Sequence, residues 1–293
     1  MKHFLGVFLC LLLFVFPSSA CANDEAFQIL LLGTDDFGLM KVESGATTSR
    51  ADAIFVASFH PGTGAIRLLS IERDYLVELP DGLGKNKLAT SSFFGGPKLT
   101  MQAVNTLFGT NIRYYAQVDI NSIIKVVDLL GGIDVEVFES EVEELNLFIN
   151  AILSYEGLSE VSAGMNHLGG PEAWAFMGVR DNTAETAASN ADRNDRQSRA
   201  LAAMLNRAKA MSPNEMREFV GNVIPLVQTN MTAADGLRFI QAALACDVQN
   251  LQYLYSPTGA YRTRRVNMHA VVVPEDMEME QKKVIDYLSG GGN

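Results

Sequence analysis

The chain has 293 residues, of which 48% are hydrophobic and 19% charged. That is enough apolar material for a packed core without disulfides, and it excludes a disordered chain. The formal net charge of -11 argues against a nucleic-acid partner, because phosphate-backbone binding needs a basic surface.

Lys2 and His3 precede an apolar run from Phe4 to Phe16, and Pro17, Ser18, Ser19, Ala20, Cys21 and Ala22 follow. A basic start, a short apolar run and small residues at its end form an export signal. Residues 1–22 therefore read as a signal peptide or N-terminal membrane anchor, with the protein at the outer face of the membrane or secreted. The run is short of the ~20 residues that span a bilayer. Three fates are compatible with it: cleavage after Ala20 or Ala22, lipidation at Cys21, or retention as an anchor. For lipidation, Ser18 stands where a lipobox usually has leucine.

No repeat, low-complexity block or linker interrupts residues 25–289, which predicts one continuous domain. Phe27–Leu32 reads as a buried strand stopped by Gly33. Ala53–Phe59 and Ala65–Ile71 read as strands joined by a hairpin turn at His60–Gly64. Lys85 and Lys87 fall in the loop beyond. Helices are predicted over Leu99–Phe108 and Asn121–Leu130, the second ended by Gly131 and Gly132, with a strand over Ile133–Phe138. Further helices cover Pro171–Met177, Asp192–Met211, Pro213–Val227 and Ala233–Ala245. Strands over Leu251–Ser256 and Val266–Val273 precede a closing helix over Pro274–Leu288. Interleaved strands and helices with at least one hairpin predict a mixed sheet with helices on both faces. Cys246 is the one cysteine in the body, so no disulfide framework exists, and its apolar stretch marks it as a small buried hydrophobe.

Common catalytic signatures are missing. His3, His60, His167 and His269 lack metal-ligand spacing, and no Walker loop or dinucleotide-binding glycine pattern occurs. Ser122-Ile-Ile-Lys125 matches Ser-x-x-Lys without its companion motifs and reads as chance on an amphipathic helix. What stands out is a set of acids and arginines at element ends: Asp35 and Asp36; Arg50 and Asp52; Arg73 and Asp74; Arg180; and Arg193, Arg196 and Gln197. Polar strand ends are where α/β proteins build ligand sites. Carboxylates there suit a hard cation such as Mg²⁺, and arginines suit a diphosphate. Each piece alone also reads as a solvated surface pair or a turn residue, so the residues by themselves specify only an anion site.

The ordered segments LLLGTDD, SRADAIFVASFHPGTGAIRLLSIERD, GKNKL, FFGGP, YYAQVDINSIIKVVDLLGGIDVEV, LGGPEAWAFMGVR and DRNDRQ resemble the LytR–CpsA–Psr family from about residue 27 to 210. The resemblance implies a three-layer α/β/α sandwich with a central mixed β-sheet and an apolar polyprenyl-binding tunnel. It also implies Mg²⁺-assisted transfer of a glycopolymer, of teichoic acid or capsule type, from polyprenyl diphosphate to peptidoglycan. Carried over by position, Asp35 and Asp52 are metal-linked, with Asp36 a lesser substitute for Asp35. Arg73, Arg50 and Asp74 are catalytic, and Arg73, Lys87, Arg180, Arg193, Arg196 and Gln197 bind diphosphate. Asp74 or Asp52 would serve as general base. The chain departs from the family pattern at Ala89, where an amide is usual, at Gly178, where the first arginine of a pair is expected, and at Asn190, often an aspartate.

The prenyl tail is expected along helices such as Asn121–Leu130 and Ala173–Met177. Replacing Arg73 with Ala is expected to abolish turnover and leave the fold intact. Competing readings are a polyprenyl-diphosphate hydrolase, a catalytically weakened lipid-phosphate binder, and an extracytoplasmic sensor.

Overall fold

Three apolar runs build the centre of the fold: Phe27–Thr34 (β1), Ala51–His60 (β2) and Ala65–Ile71 (β3). In the computed structural model, which describes residues 25–34, 50–80, 82–152, 158–179, 187–266 and 269–291, all of their residues are buried except Gln28. Strands buried on both faces read as continuous apolar runs rather than alternating ones, which is why these three were legible. β1 pairs antiparallel with β2, and β2 with β3 across the expected hairpin, where Gly64 takes φ +69°.

The chain divides into two compact units, one from the described residues of Val118–Val227 and the other from those of Phe16–Gln117 and Gln228–Asn293. In the second, larger unit, β3 leads into a small hairpin of Leu76–Leu79 (β4) and Gly84–Lys87 (β5). This corrects the loop expected around Lys85 and Lys87: strand pairing overrides a polar sequence with little intrinsic β preference. The first helix, Thr90–Phe108 (α1), starts nine residues before the predicted Leu99. Gly95 and Gly96 break its regular dihedrals just before Pro97, a combination that masks a helix start in sequence. Tyr114–Asp119 (β6) follows.

The smaller unit runs through Ile120–Leu129 (α2), Ile133–Val137 (β7), Glu139–Ile152 (α3), Gly164–Leu168 (β8), Gly170–Gly178 (α4), Ala187–Lys209 (α5) and Pro213–Val223 (α6). Asp119 caps α2, accepting from Ser122 N–H at 2.7 Å, and Gly131 and Gly132 follow the helix with positive φ. Ser122 is buried and Lys125 exposed, which agrees with reading Ser-x-x-Lys as chance. β7 pairs antiparallel with β8. The predicted helix over Pro213–Val227 ends at Val223 and tightens into a 3₁₀ turn over Ile224–Leu226, where Pro225 cannot continue an α-helix. α4 packs closely on α2: Gly170 N–H donates to Asp128 Oδ1 at 2.8 Å, and a Cβ at Gly170 would lie 2.3 Å from the Ile124 carbonyl oxygen.

The chain then returns to the larger unit with Gln228–Thr229 (β9), Ala233–Leu244 (α7), Leu251–Ser256 (β10), Tyr261–Val266 (β11), His269–Pro274 (β12) and Met277–Ser289 (α8). The predicted strand Val266–Val273 is corrected to a hairpin of two strands, because its first partner is a polar, arginine-rich segment without a period-2 apolar signal. α8 begins at Met277 rather than Pro274, capped by Asp276, which accepts from Met279 N–H. The central sheet has six strands in the order β10-β3-β2-β1-β6-β9, and it is mixed: β10 runs parallel to β3 while β2 is antiparallel to both its neighbours. α1, α7 and α8 pack against its strands. Phe239 of α7 meets Phe27 and Phe59, each with ring centroids 5.4 Å away. The mixed α/β class expected from the sequence is what the chain adopts.

Candidate active site

Because β1, β2 and β3 alternate in direction, the end of β1, the start of β2 and the end of β3 lie at one end of the sheet. Thr34 is opposite Ala51 there. Asp52, one residue into β2, is buried. Arg73, two residues past β3, donates from Nη1 to Asp52 Oδ1. Its Nε lies 3.4 Å from Asp74 Oδ1, and Lys87 Nζ lies 2.8 Å from the same oxygen. The result is a chain of alternating charge, Asp52–Arg73–Asp74–Lys87. Side-chain exposure rises along it from 1% at Asp52 through 13% at Arg73 to 29% at Asp74, so the cluster opens to solvent at Asp74.

The backbone around it is held at every step. Glu72 N–H donates to Ser256 O at 2.9 Å, Ala89 N–H to Arg73 O at 2.9 Å, Val272 N–H to Asp74 O at 2.8 Å, and Leu88 N–H to Tyr75 O at 2.8 Å. Glu72 Oε1 accepts from Asp74 N–H at 3.3 Å, and Glu72 Oε2 accepts from Tyr255 Oη–H. Tyr75 is fully buried, its hydroxyl 2.9 Å from Ser256 Oγ, beside the buried carboxylate of Glu280. Burial, with the Glu280 and Glu72 charges adding to it, pushes the Tyr75 phenol well above its ordinary range. Glu280 also accepts from Thr258 N–H at 2.9 Å and Thr258 Oγ1 at 2.6 Å, which satisfies a buried acid that would otherwise be costly. Side chains on such a scaffold are preorganised, as charge stabilisation in catalysis requires.

The β4–β5 hairpin delivers Lys87, whose register partner is Leu76. Ala89 lies between Arg73 and Ala51, its N–H on Arg73 O and its carbonyl on Ala51 N–H, with its methyl buried; its side chain offers no amide to the cluster. Arg50 is exposed just before β2. Asp35, Asp36, Arg180 and Cys21 lie outside the described residues, as do the side chains of Arg193 and Asn190.

In the smaller unit, taken by itself, Arg196 is buried at 4% exposure. Its Nη2 donates to Val179 O at 2.7 Å and its Nη1 to Glu141 Oε1 at 3.3 Å. Gln197 Nε2 lies 3.5 Å from Met177 O. Both therefore hold the end of α4, the segment that leads directly into Arg180. Arg199 donates to Glu141 and to Glu136 O, and its guanidinium lies 4.2 Å from the Phe138 ring and 5.0 Å from that of Phe176. Burial opposes ionisation of Glu141, but the hydrogen bonds from Arg199 and Phe138 N–H and the charges of Arg199 and Arg196 outweigh it, holding the carboxyl below its ordinary value. Sequence reading misses Glu141. A signal is present in Arg196 and Arg199, which at spacing three share a helix face, but the acid-rich start of Glu139–Ile152 hides the helix that supplies their partner.

Among the described residues, no group of three or more His, Cys, Asp or Glu side chains is placed to hold a metal ion. Mg²⁺ does not need one, since it commonly uses one or two carboxylates and completes its shell with water and substrate phosphate. Asp52 is a buried carboxylate of the kind Mg²⁺ takes, and Arg73, its present partner, would have to shift to make room for the ion.

A sequence model of the LytR_cpsA_psr family matches residues 15–284. The chain belongs to this family. It is 28% identical over 208 residues to the polyisoprenyl-teichoic acid–peptidoglycan teichoic acid transferase TagU of Oceanobacillus iheyensis, covering 68% of this chain and 58% of that protein. It is 26% identical over 244 residues to TagT of Bacillus subtilis, a transferase of the same description, covering 81% and 71%. The match thus spans little more than half of the first of these relatives. Among solved structures, TagV of B. subtilis superposes with a TM-score of 0.67 at 23% identity, covering 92% of this chain and 100% of that one. TagT bound to LIIa-WTA superposes with a TM-score of 0.68 at 20% identity, covering 93% of each. These likenesses establish a LytR–CpsA–Psr fold. Among the described residues, no helix is long and apolar enough to cross a membrane.

Proposed function

We propose that this LytR–CpsA–Psr protein is an extracytoplasmic phosphotransferase that moves a glycopolymer from a polyprenyl diphosphate carrier to a hydroxyl of the cell wall, with residues 25–289 as the catalytic domain. The observation that carries the reading is the rigidly held Asp52–Arg73–Asp74–Lys87 chain at the sheet end. Arg73 supplies a planar fork matched to phosphate oxygens, and Lys87 a point charge beside it. Both cations are committed to carboxylates before substrate arrives, so diphosphate binding is an exchange of anionic partners. Asp74, the most open acid of the cluster, is placed to take the proton of the attacking acceptor hydroxyl. The acceptor oxygen forms a bond to the polymer-side phosphorus, the bond from that phosphorus to the bridging oxygen breaks, and prenyl monophosphate leaves with the electron pair. Asp52, with Asp35, would hold Mg²⁺, which when bound neutralises charge developing on phosphate oxygens.

On the smaller unit, Arg180, Arg193 and Gln197 are the proposed phosphate ligands; Arg196, expected among them, is buried and committed to Val179 O and Glu141, so it is reassigned to positioning the chain that enters Arg180. The prenyl chain is assigned to the apolar faces of α2 and α4, where Ile123, Val126, Val127, Ala173 and Phe176 are buried. The fold then serves as a three-layer sandwich around an apolar tunnel, and the acceptor is peptidoglycan, as the names of its relatives suggest.

Arg73→Ala is a poor test, because it removes a partner from a carboxylate that is 1% exposed, a change that costs up to about 3–5 kcal/mol. The expectation that this variant keeps its fold is revised accordingly. Arg73→Lys keeps a positive charge near Asp52 and loses the fork. With a polyprenyl diphosphate-linked glycan and peptidoglycan fragments, wild type should release prenyl monophosphate only when acceptor is present. Arg73→Lys should lower kcat about 100-fold or more with an unchanged melting temperature. Release independent of acceptor would make the protein a hydrolase, and undiminished transfer by Arg73→Lys would remove Arg73 from the chemistry.

A further inference from the structure

β11 reads Tyr261-Arg262-Thr263-Arg264-Arg265-Val266, three arginines within four residues of a chain whose net charge is -11. Residues 261–265 are all exposed. Arg262 is partnered by Glu275, with Nε 3.0 Å from Oε1. Among the described residues, Arg264 and Arg265 are in no ion pair. The strand is an edge, hydrogen-bonded to β12 alone. β12 lies directly against the candidate active site: Val272 bridges to Tyr75 in parallel and donates its N–H to Asp74 O at 2.8 Å. Thr263 is the register partner of Val272. The arginine strand therefore runs two strand spacings, about 10 Å, from the backbone of Asp74.

We infer that β11 is a docking strand for an anionic glycopolymer, one whose repeats carry phosphodiester or carboxylate groups. The inference rests on the phosphotransfer reading and adds a specificity device to it. The diphosphate occupies the Arg73 cluster, and the polymer attached to it extends past Asp74 along the edge. Guanidinium groups pair bidentately with phosphodiester and carboxylate oxygens. At exposed positions they act through salt-dependent attraction, which favours one charge class of ligand over another. Successive residues of a strand face opposite sides, so Arg264 and Arg265, adjacent in β11, present positive charge on both faces of the edge, as suits a flexible chain that wraps it. Neutral repeats gain nothing from this strand.

The test uses the full chain, Arg264→Glu/Arg265→Glu, and a control of equal charge change, Lys282→Glu/Lys283→Glu, on the exposed side of α8. The probes are soluble poly(glycerol phosphate) and dextran of equal length. At low salt the β11 variant should bind poly(glycerol phosphate) about tenfold more weakly, the α8 variant within about twofold of wild type, and dextran should not distinguish the three. In the transfer assay, KM for a donor with phosphate repeats should rise about tenfold with kcat little changed, while a neutral-repeat donor is unaffected. Equal weakening by both variants, which reports only net charge, overturns the proposal. So does no weakening, which leaves the arginines as edge protection alone. The binding arm needs no turnover, so its failure leaves the phosphotransfer reading intact; loss of that reading would appear as wild type failing to transfer from either donor.

Discussion

Arg73 and Arg196 look alike in sequence, each beside an acid at an element end, but the structure uses them differently. Arg73 is bound to the carboxylates of Asp52 and Asp74, the second of them opening to solvent. Arg196 is buried, bound to the Val179 carbonyl and to Glu141. Glu141 makes that distinction testable through pH. Its carboxyl is held below the ordinary Glu value of 4.5 by Arg199, Phe138 N–H and Arg196. A carboxylate with a depressed folded-state value contributes stability that is fully present above the unfolded value and is lost as pH falls through the folded one. Glu141→Gln should therefore melt lower than wild type at neutral pH, and the gap should close as pH falls below about 4.5. A gap that stays constant from neutral to acid would mean the carboxylate is not paired as described. At this scale the sequence names Arg73, Asp52, Asp74 and Lys87 as candidates, because charged residues at strand ends are unusual enough to notice. It does not say which charges neutralise which, since Lys87 reaches Asp74 only through pairing of β5, a strand with no apolar residue.

The elements legible in sequence include those buried on both faces or built on long apolar periods, as β1 to β3, α2 and α7 are, while β10, a half-exposed edge strand, shows through its leucines and tyrosines. β4, β5, β6, β8, β9 and β11 escape it: β5, β8, β9 and β11 are short or polar and form by pairing rather than by propensity, while β4 and β6 are apolar but only four and six residues long. α3 escapes because its buried side chains, Glu141, Leu145 and Ile149, recur every fourth residue but begin with an acid. The Gly169-Gly170-Pro171 start of α4 is a helix signal in sequence, and its second glycine has a further cause. A Cβ at this position would lie only 2.3 Å from the Ile124 carbonyl oxygen, so Gly170→Ala must push α4 away from α2. A loss of about 1–3 kcal/mol in chemical unfolding is expected, the usual cost of overpacking. Gly221→Ala, on α6 with open space around it, should instead be neutral or slightly stabilising. Equal effects at the two positions would contradict the close approach of α4 to α2.

For the whole molecule, a net charge of -11 disfavours approach of an anionic lipid unless positive charge is gathered locally, as it is along β11; at the Asp52–Arg73–Asp74–Lys87 chain the cations are balanced by acids. Composition argues against a nucleic-acid partner, the N-terminal pattern points to export, and the ordered motifs lead to the family that the sequence model confirms across residues 15–284. Polymer and acceptor are not legible, because recognition of repeats depends on surface side chains that carry no periodic signal. The central claim is that the Asp52–Arg73–Asp74–Lys87 chain receives two linked phosphates. It is tested most directly by equilibrium binding of polyprenyl diphosphate, presented in detergent micelles, to wild type and Arg73→Lys, with free polyprenol as the tail-only control. The account predicts at least tenfold weaker diphosphate binding by Arg73→Lys, since a point charge cannot reproduce the guanidinium fork, with polyprenol bound equally by both. Equal affinity of the two proteins for the diphosphate would contradict it.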